Sequence, residues 1–142
     1  IAYGEQPGYE GEKISDECAY VVCAPPYKAW LEESSYAEPI NKLVLVGSEA
    51  LWDQWQKLSA RALDGPGTIS DSSIVCKRAA IAGHGLSIQR HSLVQHELND
   101  GQLVKLDNIA LEINEGYYLL RPTGRELSEA QQTVWDWALN NL

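Results

Sequence analysis

The residues of this chain best suited to chemistry are Asp71-Ser72-Ser73, which stand directly before a run that reads as a helix, Ile74 to Ala82. The first backbone N–H groups of a helix have no intrahelical partner and sit at the positive end of its dipole. Such a start can hold a carboxylate or another anion. Two serine hydroxyls there add donors whose direction adjusts to a ligand. An ordinary N-cap, contributing ~1 kcal/mol to the helix, accounts for the same residues. Spacing alone leaves both readings open.

Other candidates carry less. Gly83-His84-Gly85 lacks the third glycine of a dinucleotide fingerprint, because position 88 is Ile, and it follows a helix rather than a strand. A helix C-cap and tight turn fits it better. His91 and His96 are five residues apart, which does not put both rings on one helical face, and with His84 they make no recognisable metal site. Ser87, in Gly85-Leu86-Ser87-Ile88-Gln89, lacks the closing glycine of a nucleophile elbow. The carboxylate pairs Asp16-Glu17 and Glu32-Glu33 read as solvated. Cys18, Cys23 and Cys76 suit neither zinc nor a disulfide framework, and Cys23 and Cys76 fall in apolar segments where thiols act as small buried hydrophobes. No enzyme, metal or cofactor is expected.

The elements that must position Asp71-Ser72-Ser73 alternate along the chain. Ala19 to Cys23 is a buried strand ended by Ala24-Pro25-Pro26, followed by helical turns over Tyr27 to Glu33. Pro39 is expected to open a short turn before a strand over Lys42 to Val46. Ser48 then caps a helix whose face is Leu51, Trp55, Leu58 and Ala62, broken by Asp64-Gly65-Pro66-Gly67. Thr68 to Ser70 is a brief strand into the capped helix. Leu86 to Ile88, Leu103 to Leu106 and Tyr117 to Leu120 are strands, with a helix over His91 to Leu98. Ser128-Glu129-Ala130-Gln131 is a capping box before an apolar stripe of Ala130, Val134, Trp137 and Ala138. Trp52, Trp55, Trp135 and Trp137 read as core or half-core. Tyr117 and Tyr118 must point to opposite faces of their strand. This rhythm predicts an α/β fold with largely parallel pairing.

Length and charge bound the rest. The 142 residues, 44% of them hydrophobic, fit one domain with a real core. With 11 Lys and Arg against 20 Asp and Glu the net charge is −9, so this piece is not expected to grip a phosphate backbone. No apolar stretch approaches the ~20 residues of a membrane span. There is no basic-then-apolar leader and no Met, and the abrupt start at Ile1-Ala2-Tyr3-Gly4 reads as the end of a strand in a longer protein.

Several segments, in order, resemble the effector-binding domain of LysR-type transcriptional regulators, in the branch related to glycine-cleavage and β-lactamase regulators. Ile1-Ala2-Tyr3-Gly4 resembles the family's "IRYG", with Ala2 for arginine, and Val22-Cys23-Ala24-Pro25 resembles "VCSP", with alanine for serine. Trp52-Asp53-Gln54-Trp55 resembles its paired-tryptophan helix. Ser70-Asp71-Ser72-Ser73 through Ala79-Ala80-Ile81-Ala82-Gly83-His84-Gly85 resembles "FDSS…AAxAGxG", without the phenylalanine. Gly116-Tyr117-Tyr118-Leu119 and Trp135-Asp136-Trp137-Ala138-Leu139 resemble the closing strand and helix.

The resemblance implies an α/β, two-lobed domain of the type 2 periplasmic-binding-protein kind, spanning residues 1–142 and truncated at its N-terminus. The start of the first lobe and a DNA-binding helix-turn-helix would be absent. It implies a small-molecule effector between the lobes, held by Asp71, Ser72, Ser73, Tyr118 and the backbone of Ala24, with Tyr3 and Gly4 at the hinge. It implies homo-oligomers through a helix face of Ile74, Val75, Arg78 and Ile81, contact with DNA only through the absent domain, no membrane contact and a cytoplasmic location. A periplasmic solute-binding protein of a transporter would share the fold and is the alternative.

Overall fold

The computed structural model describes residues 1–65 and 67–142. Pro66, in the expected break, lies outside the described residues. The elements run β1 (Ala2–Tyr3), β2 (Tyr9–Cys23), α1 (Pro25–Glu33), β3 (Lys42–Leu45), α2 (Glu49–Ser59), β4 (Thr68–Ser70), α3 (Ser73–Ile81), β5 (Leu86–Arg90), α4 (His91–Asn99), β6 (Val104–Lys105), β7 (Leu111–Pro122) and α5 (Glu129–Asn141). The chain forms two units. One comprises Ile1–Glu17 with Glu112–Leu142, and the other comprises Cys18–Leu111. The chain therefore enters the second unit within β2 and leaves it at the start of β7. Tyr3 and Gly4, the residues expected at the hinge, belong to the first unit.

The second unit carries the main core. The buried end of β2 pairs antiparallel with β5 (Val21 opposite Ile88) and with β6, while β3 pairs parallel with both β5 and β4. The expected largely parallel sheet is thus mixed. Its strand order here is β2-β5-β3-β4, and α3 packs on β3 and β5. Tyr20, Val22, Leu43, Cys76, Ala80, Val94 and Leu103 form one buried cluster. Full burial raises the Cys23 thiol to about 11 and pushes Cys76 up as well.

Local chemistry explains the helix ends. Ala24 precedes Pro25 and is extended (φ −64°, ψ 143°), so α1 begins at the proline. Trp52 and Trp55 are both buried on α2, edge to face with centroids 6.0 Å apart, and Trp55 Nε1 donates to Asp107 Oδ2 at 2.9 Å. The expected α2 face is therefore shifted: Leu58 is 58% exposed, and Ala62 lies beyond the helix, which stops at left-handed Ala60. Pro39 opens no helical turn. Gly83 (φ +83°) ends α3 as anticipated, and a Cβ on Gly85 would strike the Asn41 carbonyl oxygen.

In the first unit β1 pairs antiparallel with β7, placing Ala2 opposite Tyr118 and Tyr3 opposite Tyr117, and β7 lies beside β2. Tyr3 and Tyr117 meet edge to face at 5.4 Å. Gly11 and Gly116 allow β2 and β7 to approach, since a Cβ at either would run into the Leu119 or Ser15 carbonyl oxygen. Both strands are longer than expected, because their outer halves are polar. The Ser128 capping box is present, with Ser128 and Gln131 bonding each other's backbone N–H. Of the expected α5 stripe only Ala138 is buried; Val134 and Trp137 are exposed.

Candidate functional site

The start of α3 is assembled by short polar residues. Ser72 is extended (φ −119°, ψ 119°), the N-cap conformation, and its Oγ accepts the Val75 N–H at 3.4 Å. The Ser72 N–H in turn reaches Ser70 Oγ at 3.1 Å. Ser73, the first helical residue, is held from beneath by β5. Gln89 Nε2 donates to the Ser73 carbonyl oxygen at 3.3 Å and to Ser87 Oγ at 2.9 Å. Ser87 and Gln89 are both buried.

A cavity of about 220 Å³ opens beside this turn. Asp71 and Ser73 line it from the α3 start, Gln89 and Arg90 from β5, and Gly47 and Ser48 from the turn between β3 and α2. Leu45, Leu51, Ile88 and Leu93 supply its apolar wall. Ser48 occupies the N-cap position of α2 but makes no cap bond. Its Oγ donates to the Leu45 carbonyl oxygen at 2.7 Å. The expectation that Ser48 caps α2 through its side chain is corrected by that bond, and the start of α2 beside the cavity is left without a side-chain cap.

The expected ligand residues separate by role. Asp71 and Ser73 are brought together on this lining. Ser72 stands between them with its hydroxyl committed to the helix. Ala24 is the α1 N-cap, with its carbonyl accepting from Tyr27 and Lys28, and it does not line this cavity. Tyr118 belongs to the other unit, where it lines a cavity of about 570 Å³ with Glu5, Gln6, Tyr9 and Glu10. Gly4 in that unit is left-handed (φ +75°) and donates its N–H to Gly116 at 2.9 Å. Sequence reasoning missed Ser48 as a lining residue and missed Gln89. The available signal for Gln89 was a pair of polar residues, Ser87 and Gln89, flanking Ile88 in a strand buried on both faces.

On the exposed side of α3, Ile74 and Val75 are 60% and 55% exposed, and Arg78 is exposed with them. Ile81 is half-buried, packing on the core cluster as Ala79 does while keeping part of its side chain at the surface. Among the described residues no three His, Cys, Asp or Glu side chains group as a metal site, and no helix is long and apolar enough to cross a membrane. His91 Nδ1 lies 3.1 Å from Tyr20 Oη, and His96 faces Asp100 at 3.3 Å.

The model of the family described as LysR substrate binding domain matches residues 1–142. The chain is 29% identical over 150 residues to the HTH-type transcriptional regulator PerR of Escherichia coli (strain K12), a match that covers 100% of this chain and 50% of that protein. It thus spans half the length of that curated relative. Among solved structures, the effector domain of the transcriptional regulator AmpR of Pseudomonas aeruginosa superposes with a TM-score of 0.77 at 18% identity, covering 96% of this chain and 67% of that one. The AmpR effector binding domain from Citrobacter freundii gives the same TM-score and identity, covering 96% and 69%. These likenesses establish the fold as that of such domains.

Proposed function

Since the chain belongs to the LysR substrate binding domain family, we propose that it is the effector-sensing part of a LysR-type transcriptional regulator and that its effector binds at the α3 start. The observation that carries the site is the cavity shared by Asp71, Ser73 and Gln89. It combines an apolar wall with a few convergent polar groups, the usual composition of a small-molecule site. The family match favours this reading over the solute-binding protein of a transporter.

In this reading the effector acts through its differential affinity for two arrangements of the domain, and DNA is bound by another part of the protein, in the cytoplasm. The net charge of −9 accords with a chain that leaves DNA contact to a different segment. Ser73 and Asp71 contact the effector, and Ser72 holds the helix start. Copies associate through the exposed α3 face of Ile74, Val75 and Arg78.

The test uses the full-length regulator with a transcriptional reporter. Ser73→Ala is expected to lose induction while keeping DNA binding. Ser72→Ala is expected to cost ~1 kcal/mol of stability, with induction retained at a temperature where the protein stays folded. Normal induction in Ser73→Ala would move the effector elsewhere and leave the turn as a helix cap.

A further inference from the structure

The first unit keeps almost none of its apolar side chains dry. Among the described residues Ala138 is its only buried hydrophobic. Val134 and Trp137 on α5 are 65% and 59% exposed. Leu119, Leu120, Leu127, Val134 and Trp135 line a groove of about 410 Å³ between the end of β7 and α5. A unit of fewer than about 60 residues is marginal even with a full core, and every apolar side chain left in water forgoes the stabilisation of burial. A contiguous apolar face of this kind marks an interaction surface.

Two observations say what covers it. The two AmpR effector domains share this fold over 96% of the present chain, yet only 67% and 69% of their own length is matched, so about a third of that fold has no counterpart here. The sheet is also open at β1, which among the described residues pairs only with β7. Ala2 stands opposite Tyr118, and one further step of that register brings Ile1 to Leu119, at the groove. Polypeptide preceding Ile1 therefore arrives at the groove, and a strand laid beside β1 would pair its open edge. We propose that the groove and the adjoining face of α5 seat the segment that precedes Ile1 in the full-length protein. That segment brings a strand to the β1 edge and apolar side chains onto Leu119, Leu120, Val134 and Trp137. A second copy of the chain docked here would leave the missing third of the fold unaccounted for. The inference rests on the reading of the chain as one part of a longer regulator.

The test uses the full-length protein. Hydroxyl-radical footprinting of the unmodified protein compares Trp137 with Trp30 on α1, which is 40% exposed. Exposure in the 142 residues alone makes Trp137 the more reactive of the two; a covered α5 face reverses the order, with Trp137 several-fold slower. A benzophenone side chain placed at Gln131, an exposed position on the groove, then reports the occupant by photo-cross-linking and mass spectrometry. Light and heavy isotope copies, mixed before irradiation, separate links within one molecule from links between two. Links to residues preceding Ile1 in the same molecule are expected. Links to another copy, links to polypeptide following Leu142, or a Trp137 that stays more reactive than Trp30 overturn the proposal. Binding of the same protein to its operator DNA tests the regulator reading separately. A DNA-binding protein with an uncovered groove sinks this proposal alone, whereas upstream cross-links in a protein that binds no DNA keep it and sink the regulator.

Discussion

Gln89 Nε2 on β5 lies 3.3 Å from the carbonyl oxygen of Ser73, so a buried strand residue fixes the first turn of the helix that bears the candidate effector contacts. The same nitrogen satisfies the hydroxyl of fully buried Ser87. Replacing Gln89 by leucine keeps the bulk but strands Ser87 without that partner. Gln89→Leu is expected to destabilise the chain by about 1–3 kcal/mol, measured by urea unfolding. A loss below about 0.5 kcal/mol would show that this contact does not brace the turn.

A second prediction concerns acid. Lys77 Nζ on α3 and Glu97 Oε1 on α4 are 2.7 Å apart, and both side chains are largely covered. The hydrogen bond from Lys77 holds the Glu97 carboxyl below its ordinary value of 4.5, against the opposing effect of burial. A carboxylate with a depressed folded pKa stabilises the fold above its unfolded pKa and loses that contribution as pH falls through the folded value. Unfolding midpoints are expected to drop below about pH 4.5, with a shallower drop in Glu97→Gln. Identical pH profiles for the two proteins would assign the acid sensitivity to other groups.

Much of this architecture was readable from the amino acids, and the failures have physical causes. The α3 start was legible because Ser72 stands before an apolar helical run and Gly83 closes it. The strand Ala19–Cys23 was legible because it is apolar and stopped by prolines. The outer half of β2, Tyr9 to Glu17, was not, because its residues are polar and mostly exposed and are held by pairing with β7 rather than by a buried face. The face of α2 was misplaced because the pair Trp52 and Trp55 governs its burial, leaving Leu58 outside. Within the site, Asp71 and Ser73 could be named from local spacing. Gln89 could not, since its approach to Ser73 is a long-range contact between β5 and α3.

A third prediction separates association from folding. Val75 is exposed on α3, whereas Ile81 leans on the core. In the full-length protein Val75→Asp is expected to weaken self-association seen by sedimentation while changing stability by less than about 0.5 kcal/mol. Ile81→Asp places a carboxylate against apolar neighbours and is expected to cost about 2 kcal/mol or more. An unchanged oligomer in Val75→Asp would remove this face from the interface.

The fourth measurement bears on the central claim, that the effector is bound where β5 braces the start of α3. A compound that switches a reporter driven by the full-length regulator is identified first, and the crystal structure of the protein with that inducer is then determined. The account predicts inducer density in the cavity lined by Asp71, Ser73 and Gln89, within hydrogen-bonding distance of the Asp71 carboxylate or the Ser73 hydroxyl. Inducer bound elsewhere, with this cavity unfilled in the induced state, would contradict it.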